Sequence, residues 1–358
     1  MPPTQLGEKR GSAAMNGTCI GTRTHRCRTV PWAALATLGV LAVCLAGCRK
    51  HSGPTPNGGT EEKTFTIGVN QFMQHPLLDD VAKGLKDELE AAGISESHGD
   101  KVMVKNANGE DSVAVQINKQ FVSQKVDAIV ALGTPSAQSA CKTTTTIPVI
   151  FGAITDPVAA GIADSIEKPG GNKTGTSDRW PFEQQVELIK QIVPTAKKVG
   201  IVLNPAESNT EASMKYIRPA LKQAGLDSVE VAVANTGEVF GAAKSLVGRC
   251  DVFLIPGDNT VIAAIDTLIK VAREKKIPVI GGSEDLVKKG SIATYASDYY
   301  QIGRTTGMIV VEVLKEKKDP GTIPVAVAEE CALVVNQKAA TEQGANVPEA
   351  LLAKAKKG

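Results

Sequence analysis

Two stretches far apart in the chain share one build, and that repetition restricts the fold more than any other feature. Val126 to Ala140 reads VDAIVALGTPSAQSA, and Cys250 to Ile265 reads CDVFLIPGDNTVIAAI. In the first, Ala128 to Leu132 is an apolar run too short for a helix and suited to a strand buried on both faces. Gly133-Thr134-Pro135-Ser136 ends the run, and Ser136 is placed to cap a helix that begins at Ala137. A strand ending in a small, hydroxyl-rich turn at a helix N-terminus offers free N–H groups and a helix dipole to a carboxylate. One such turn is common in α/β proteins. Two in matching places describe an architecture.

The repetition extends in both directions. Strands are expected at Phe65–Asn70 and Val102–Asn106, with helices at Asp79–Ala92 and from Asp111 to about Gln124. After the opening unit, Ile147-Pro-Val-Ile150 begins a fourth strand that ends in Thr155-Asp156-Pro157. The second half repeats the plan: strand Lys198–Leu203, helix Glu211–Ala224, strand Val229–Ala234, strand Asp251–Pro256 and helix Thr260–Lys275. Ile277-Pro-Val-Ile280 then echoes the fourth strand. Alternating strands and helices imply parallel sheets with right-handed crossovers. The expected fold class is therefore α/β, with two similar doubly wound parallel-sheet lobes joined by a hinge. Lobe one takes residues 64–175 plus 298–322, and lobe two residues 176–297 plus 323–358. A chain of 358 residues suits two such units.

The segment before the lobes has its own character. Residues 1–22 are polar and without periodicity. Arg23, Arg26 and Arg28 then precede an apolar run, Val30 to Ala46, that closes in Leu45-Ala46-Gly47-Cys48. Basic, apolar and small-residue regions in that order are the layout of a secretory signal, and Leu-Ala-Gly-Cys resembles a bacterial lipobox. The expectation is a signal segment over 1–47, lipidation of Cys48, and a Gly- and Pro-rich tether over 48–63, the competing reading being an uncleaved anchor helix. Either way the body lies outside the cytoplasm, with the membrane as a partner. Beyond that segment only Cys141, Cys250 and Cys331 remain; no pair has CxxC spacing, and one disulfide among them is open in any pairing. No metal and no other cofactor is expected. The net charge of +2, with no basic stripe carrying interleaved aromatics, excludes a dedicated nucleic-acid binder.

In a doubly wound sheet, ligands bind beyond the carboxyl ends of strands where the chain order reverses. With flavodoxin-like order the turns concerned carry Phe72, Leu77, Thr134, Ser136, Thr155 and Asp156 in lobe one. In lobe two they carry Glu207, Asn209, Thr210, Asp258 and Asn259. Each of the polar residues among them also suits a helix cap, Asp258 and Asn259 before Thr260 above all. Together they make a polar cleft with a small apolar wall, suited to a zwitterion: hydroxyls and helix-end N–H groups for a carboxylate, acids for an ammonium. Thr134 and Ser136 are expected at the carboxylate, Asp258 or Asp156 at the ammonium, with Phe72 and Leu77 against the side chain.

The series QFMQHPLLDDVAKGLKDEL, ALGTPSAQ, ITDPVAAG, EKPGGNKTGTSD, LNPAESNTEAS, PGDNTVIAA and SDYYQIGRTTG closely resembles the substrate-binding lipoproteins of ABC transporters in the tryptophan/tyrosine-type group. The resemblance runs from Thr64 to about Leu351; Thr210 stands where that group usually has Ser. It implies the type I periplasmic-binding-protein fold, capture of an aromatic or related amino acid, and delivery to a membrane permease with its ATPase. An enzyme is disfavoured, because the body has only His75 and His98 as histidines and no G-x-S-x-G, H-E-x-x-H or phosphate-loop motif. An extracytoplasmic sensor that signals to a membrane kinase would carry the same signature.

Overall fold

The computed structural model describes residues 63–328 and 331–356. The expected signal segment, the Cys48 lipidation site and nearly all of the tether lie outside these residues.

The apolar run that opened the sequence argument is the middle of the first sheet. Lobe one begins with β1 (Thr66–Gln71), α1 (Pro76–Ala91), β2 (Lys101–Asn106), α2 (Asp111–Ser123), β3 (Ala128–Leu132), α3 (Thr134–Thr143), β4 (Val149–Ile154) and β5 (Lys173–Ser177). All five residues of β3 are buried, as a strand covered by helices on both faces requires. Lobe two runs through α4 (Phe182–Ile192), β6 (Lys198–Leu203), α5 (Ser208–Gln223), β7 (Asp227–Ala232), α6 (Val239–Ser245) and β8 (Val252–Leu254). It continues with α7 (Asn259–Ala263), α8 (Ile265–Lys275), β9 (Val279–Ile280), α9 (Glu284–Lys289) and β10 (Ala293–Ala296). The chain ends in α10 (Tyr299–Leu314), β11 (Ala326–Val327), β12 (Ala332–Val335), α11 (Gln337–Glu342) and α12 (Glu349–Leu352).

The strand orders are β11-β5-β4-β3-β1-β2 and β12-β10-β9-β8-β6-β7, so each lobe has the flavodoxin-like reversal between its first and third strands. All neighbours are parallel except β12, which runs antiparallel to β10. The expected lobe boundaries shift where the ladders continue. Strand β5 pairs with β4 through Ser177, and β11 pairs with β5, so the first crossing follows Ser177 rather than Gly175 and the last follows Val327 rather than Thr322. Strand ladders, with their backbone hydrogen bonds, carry lobe one past the expected boundaries.

Two local differences from the sequence reading matter at the cleft. Helix α3 starts at Thr134 behind Gly133, so Ser136 sits inside the first turn and does not cap it. Gly133 has φ +88°, a conformation that favours glycine, and it turns the chain sharply from β3 into α3. The helix expected over 260–275 is two helices, broken at Ala264, whose φ and ψ of −104° and 17° leave the helical region. The break lets both pieces bury an apolar side, Val261 and Ile262 on one and Ile265, Leu268 and Ile269 on the other.

Helix α10 returns to lobe one and packs on α1 through backbone contact. A Cβ at Gly84 would collide with the Tyr300 carbonyl, and one at Gly303 with the Val81 carbonyl. Both positions therefore need glycine for close approach. Around that seam α1 buries Leu77, Leu78, Val81, Leu85 and Leu89, each contributing about 1.5–3 kcal/mol of apolar transfer. The cysteines Cys141, Cys250 and Cys331 are free thiols, and burial pushes the first two up to about 11.

Candidate ligand-binding cleft

The carboxyl ends of the two sheets face each other across a narrow pocket, whose crevices and open mouth together amount to about 400 Å³. Lobe one supplies Leu77, Thr134 and Thr155 to its wall, and lobe two supplies Asn209 and Asn259. These five sequence candidates do come together. The wall also contains His75, Asp178, Trp180, Phe182, Ser213 and Tyr299, none of which was among the sequence candidates for the cleft. No Lys or Arg lines the cavity among the described residues.

The strongest chemistry belongs to the crossings. Asp178 directly follows β5, and Tyr299 opens α10 after β10, so both sit where the chain passes between lobes. The Trp180 Nε1–H donates to the Tyr299 hydroxyl at 2.6 Å, and that hydroxyl donates to Asp178 Oδ2, also at 2.6 Å. The chain fixes one carboxylate oxygen. The other, Oδ1, is buried without a hydrogen-bond partner. Burial pushes the Asp178 carboxyl above its ordinary value, while Tyr299 and the nearby Thr155 side chain favour its charged form. A buried acceptor left open costs about 1–3 kcal/mol, which a ligand donor would recover. Asn209 presents a second such atom: its Nδ2 donates to Glu207 and to the Gly257 carbonyl at 3.1 Å each, and its Oδ1 has no partner. Trp180 and Phe182 form the aromatic wall, their ring centroids 6.0 Å apart and tilted by 45°.

Glu207 and Asp258 do something other than face the ligand. Glu207 Oε1 accepts from the Thr260 N–H and hydroxyl, and Oε2 accepts from the Asn259 N–H and from the side chains of Asn259 and Asn209. Asp258 Oδ1 caps α7 through the Val261 N–H, and Oδ2 accepts from the Asn204 N–H and the Thr210 hydroxyl. Asp258 is therefore not free for an ammonium, and Thr210 spends its hydroxyl on it. Neither they nor Glu207 line the cavity. Burial, and then the charge of Glu207, push the Asp258 carboxyl up to about 7.

The remaining expectations divide similarly. Phe72 is 3% exposed and belongs to the core behind the turn, not to the wall. Ser136 donates to Asn70 Oδ1 at 3.2 Å inside lobe one, so Thr134 alone keeps its place at the cleft. Asp156 accepts from the Ala159 N–H and from the Tyr216 hydroxyl of lobe two at 3.2 Å, making it a cross-lobe contact at the rim. Two more contacts cross there: Ser208 to Gln138 at 3.1 Å, and His75 Nε2 to Asn259 Oδ1 at 3.1 Å. Because His75 Nδ1 accepts from the Leu78 N–H, its proton sits on Nε2, and the imidazole donates across the cleft. Burial holds it below its ordinary value, hence neutral.

Two similar lobes, matching sheet orders and a pocket at the reversal points define a binding protein of the type I periplasmic class. The comparisons with known proteins agree. The family model described as "ABC transporter substrate binding protein" matches residues 66–358. The chain is 37% identical over 309 residues to a protein named "Tyrosine-binding protein" from Clostridioides difficile, covering 85% of this chain and 89% of that one. It matches a Streptococcus pneumonia ABC domain in complex with L-Trp at TM-score 0.79 and 34% identity, covering 82% and 99% of the two chains. A ligand-free, open substrate-binding protein from Clostridium difficile matches at TM-score 0.60 and 33% identity, covering 80% and 96%. This chain belongs to the family of ABC transporter substrate-binding proteins. Among the described residues no helix is long and apolar enough to cross a membrane, and no cluster of His, Cys, Asp and Glu could hold a metal.

Proposed function

We propose that this chain captures an aromatic amino acid, tyrosine or tryptophan, between its lobes outside the cytoplasm and delivers it to a membrane permease, without catalysing a reaction. The observation that carries this reading is a pair of buried, unpartnered oxygens, Asp178 Oδ1 and Asn209 Oδ1, lining a cavity walled by Trp180 and Phe182. Such acceptors suit a primary ammonium, and the rings suit an aromatic side chain. The ligand's carboxylate goes to the Thr134 hydroxyl and to the first-turn N–H groups of α3. The names of the Clostridioides difficile and Streptococcus pneumonia relatives point the same way.

Most of the cavity is crevice, so an amino acid enters only if the lobes part. At nearly equal identity the chain matches the L-Trp complex better than the open, ligand-free protein, which supports closure around the ligand. A thermal-shift and calorimetric screen of amino acids tests the reading. Tyrosine or tryptophan at 100 times its Kd should stabilise the protein by about 2.7 kcal/mol, whereas myo-inositol should leave it unchanged. No response to any amino acid would overturn it. The anchoring proposal rests on Leu45-Ala46-Gly47-Cys48. Mass spectrometry of membrane-extracted protein should show an acylated Cys48 at the new N-terminus, and an intact leader would refute it.

A further inference from the structure

We propose that His75, Asn259 and Glu207 form a clasp between the lobes that only a neutral imidazole can close, so that the protein sheds a proton as it shuts on its ligand and lets the ligand go in acid. This rests on the reading above that the lobes close around an amino acid. The three side chains are linked in series. Both oxygens of Glu207 act as acceptors within lobe two, and Oε2 takes the Asn259 Nδ2 at 2.6 Å. That fixes the amide, with its nitrogen toward Glu207 and its Oδ1 left for lobe one, where it accepts from His75 Nε2 at 3.1 Å. On the other side of the ring, Nδ1 caps α1 by accepting from the Leu78 N–H at 3.4 Å. The site therefore requires a donor at Nε2 and an acceptor at Nδ1, which is one tautomer of the neutral ring. An imidazolium has two donors and no acceptor, and would set Nδ1–H against the Leu78 N–H.

The surroundings agree with that geometry. His75 is 4% exposed and lines the same pocket as Asp178 and Tyr299. Burial disfavours the charged ring and outweighs Asn259, Glu207 across the cleft and Asp79 on its own helix, which favour it. Tyr299 is a neutral phenol, pushed well above its ordinary value by burial. Asp178 meets the ligand's ammonium, and the zwitterion brings one charge of each sign. Asp258, beside Asn259, is raised to about 7, but its charged neighbour and its hydrogen-bond donors all belong to lobe two, so it titrates alike in the open and closed forms.

When the lobes part, the ring leaves Asn259 and meets water, where its ordinary value is 6.5. Closure lowers that value, so this stabilisation of the closed form is complete above 6.5 and is lost as pH falls through it. The loss is at most about fourfold at pH 6 and about tenfold at pH 5.5. The other contacts that cross the rim, Tyr216 to Asp156 and Ser208 to Gln138, contain no group whose ordinary pKa lies between 5 and 8.

The test compares the parent with His75→Gln in the full chain, whose amide donates to Asn259 but takes up no proton. Tyrosine binding is measured by calorimetry from about pH 5.5 to 8, each protein referred to its own affinity at pH 8. Asp178 weakens binding in acid in both proteins and divides out of the ratio. The parent should lose about two- to fourfold more affinity than the variant at pH 6, and up to about tenfold more at pH 5.5. Titrations at pH 6 in buffers of different ionisation enthalpy should show the parent releasing about half a proton or more per tyrosine bound, and the variant close to none. Parallel pH profiles with equal proton release would overturn the clasp. If His75→Gln does not bind, the parent decides alone, and no proton release at pH 6 overturns the clasp. If neither tyrosine nor tryptophan binds the parent at any pH, the functional reading has failed and the clasp falls with it.

Discussion

Replacing Asp178 with alanine should cost at least about a hundredfold in amino-acid affinity while leaving the protein folded. The size follows from the environment. A charge-assisted hydrogen bond contributes about 1.5–3 kcal/mol, and an ammonium left facing an uncharged, dehydrated wall loses more. The Asp178 carboxylate accepts one hydrogen bond, from Tyr299, and its backbone bond to Ile154 survives in alanine, so the substitution breaks little that the lobes need. Asp178→Asn separates charge from shape: it should retain the cavity but lose most of the affinity, because the amide cannot neutralise the ammonium. Tyr299→Phe supplies a graded comparison, since it releases Asp178 Oδ2 without removing the carboxylate. Calorimetry with tyrosine reads all three. Parent-like affinity in a folded Asp178→Ala protein would move the ammonium elsewhere, with Asn209 the next oxygen to examine.

Glu207→Ala should give the largest loss of stability, about 3–5 kcal/mol, because five donors lose their acceptor inside lobe two. Urea unfolding followed by circular dichroism measures it, and Glu207→Gln should fall between the two. The pH dependence provides a second readout. Asp258 is raised in the folded state, so the stability it contributes is complete below its ordinary value near 4 and is lost as pH rises through about 7. Without the Glu207 charge that rise shrinks, and the fall in stability between pH 5 and 8 should flatten. A variant as stable as the parent would mean that water replaces Glu207 at no cost.

Much of the architecture was legible because burial on both faces leaves a direct trace, as in Ala128–Leu132 and Ile147–Ile154. The order of the turns then located the cleft. What failed was the assignment of individual polar side chains. Asp258, Glu207 and Ser136 stand in the expected turns, yet their oxygens and hydroxyl are committed to neighbouring backbone and amides, and sequence does not reveal which way a carboxylate in such a turn points. The residues missed lie on the crossings, which looked like connectors. A signal was present there: in a chain with only 4% aromatics, Trp180, Phe182 and Tyr299 cluster beside Asp178 and Asp298. Scarce aromatics next to an acid at a lobe crossing would have pointed to the cavity wall.

The return of α10 to lobe one also sets the order in which the molecule can assemble. Five strands of the first sheet are complete by Ser177, but the helix whose glycines seat it against α1 begins only at Tyr299, after most of lobe two. A chain emerging from the ribosome must therefore hold an unfinished first lobe, with Val81 and Leu85 uncovered, until more than half of the remaining sequence has been made. Lobe two runs without interruption from α4 to β10 and waits only for its edge strand, β12. The earlier-made half should thus be the later-folding one, with its contacts of long sequence separation setting the slow step.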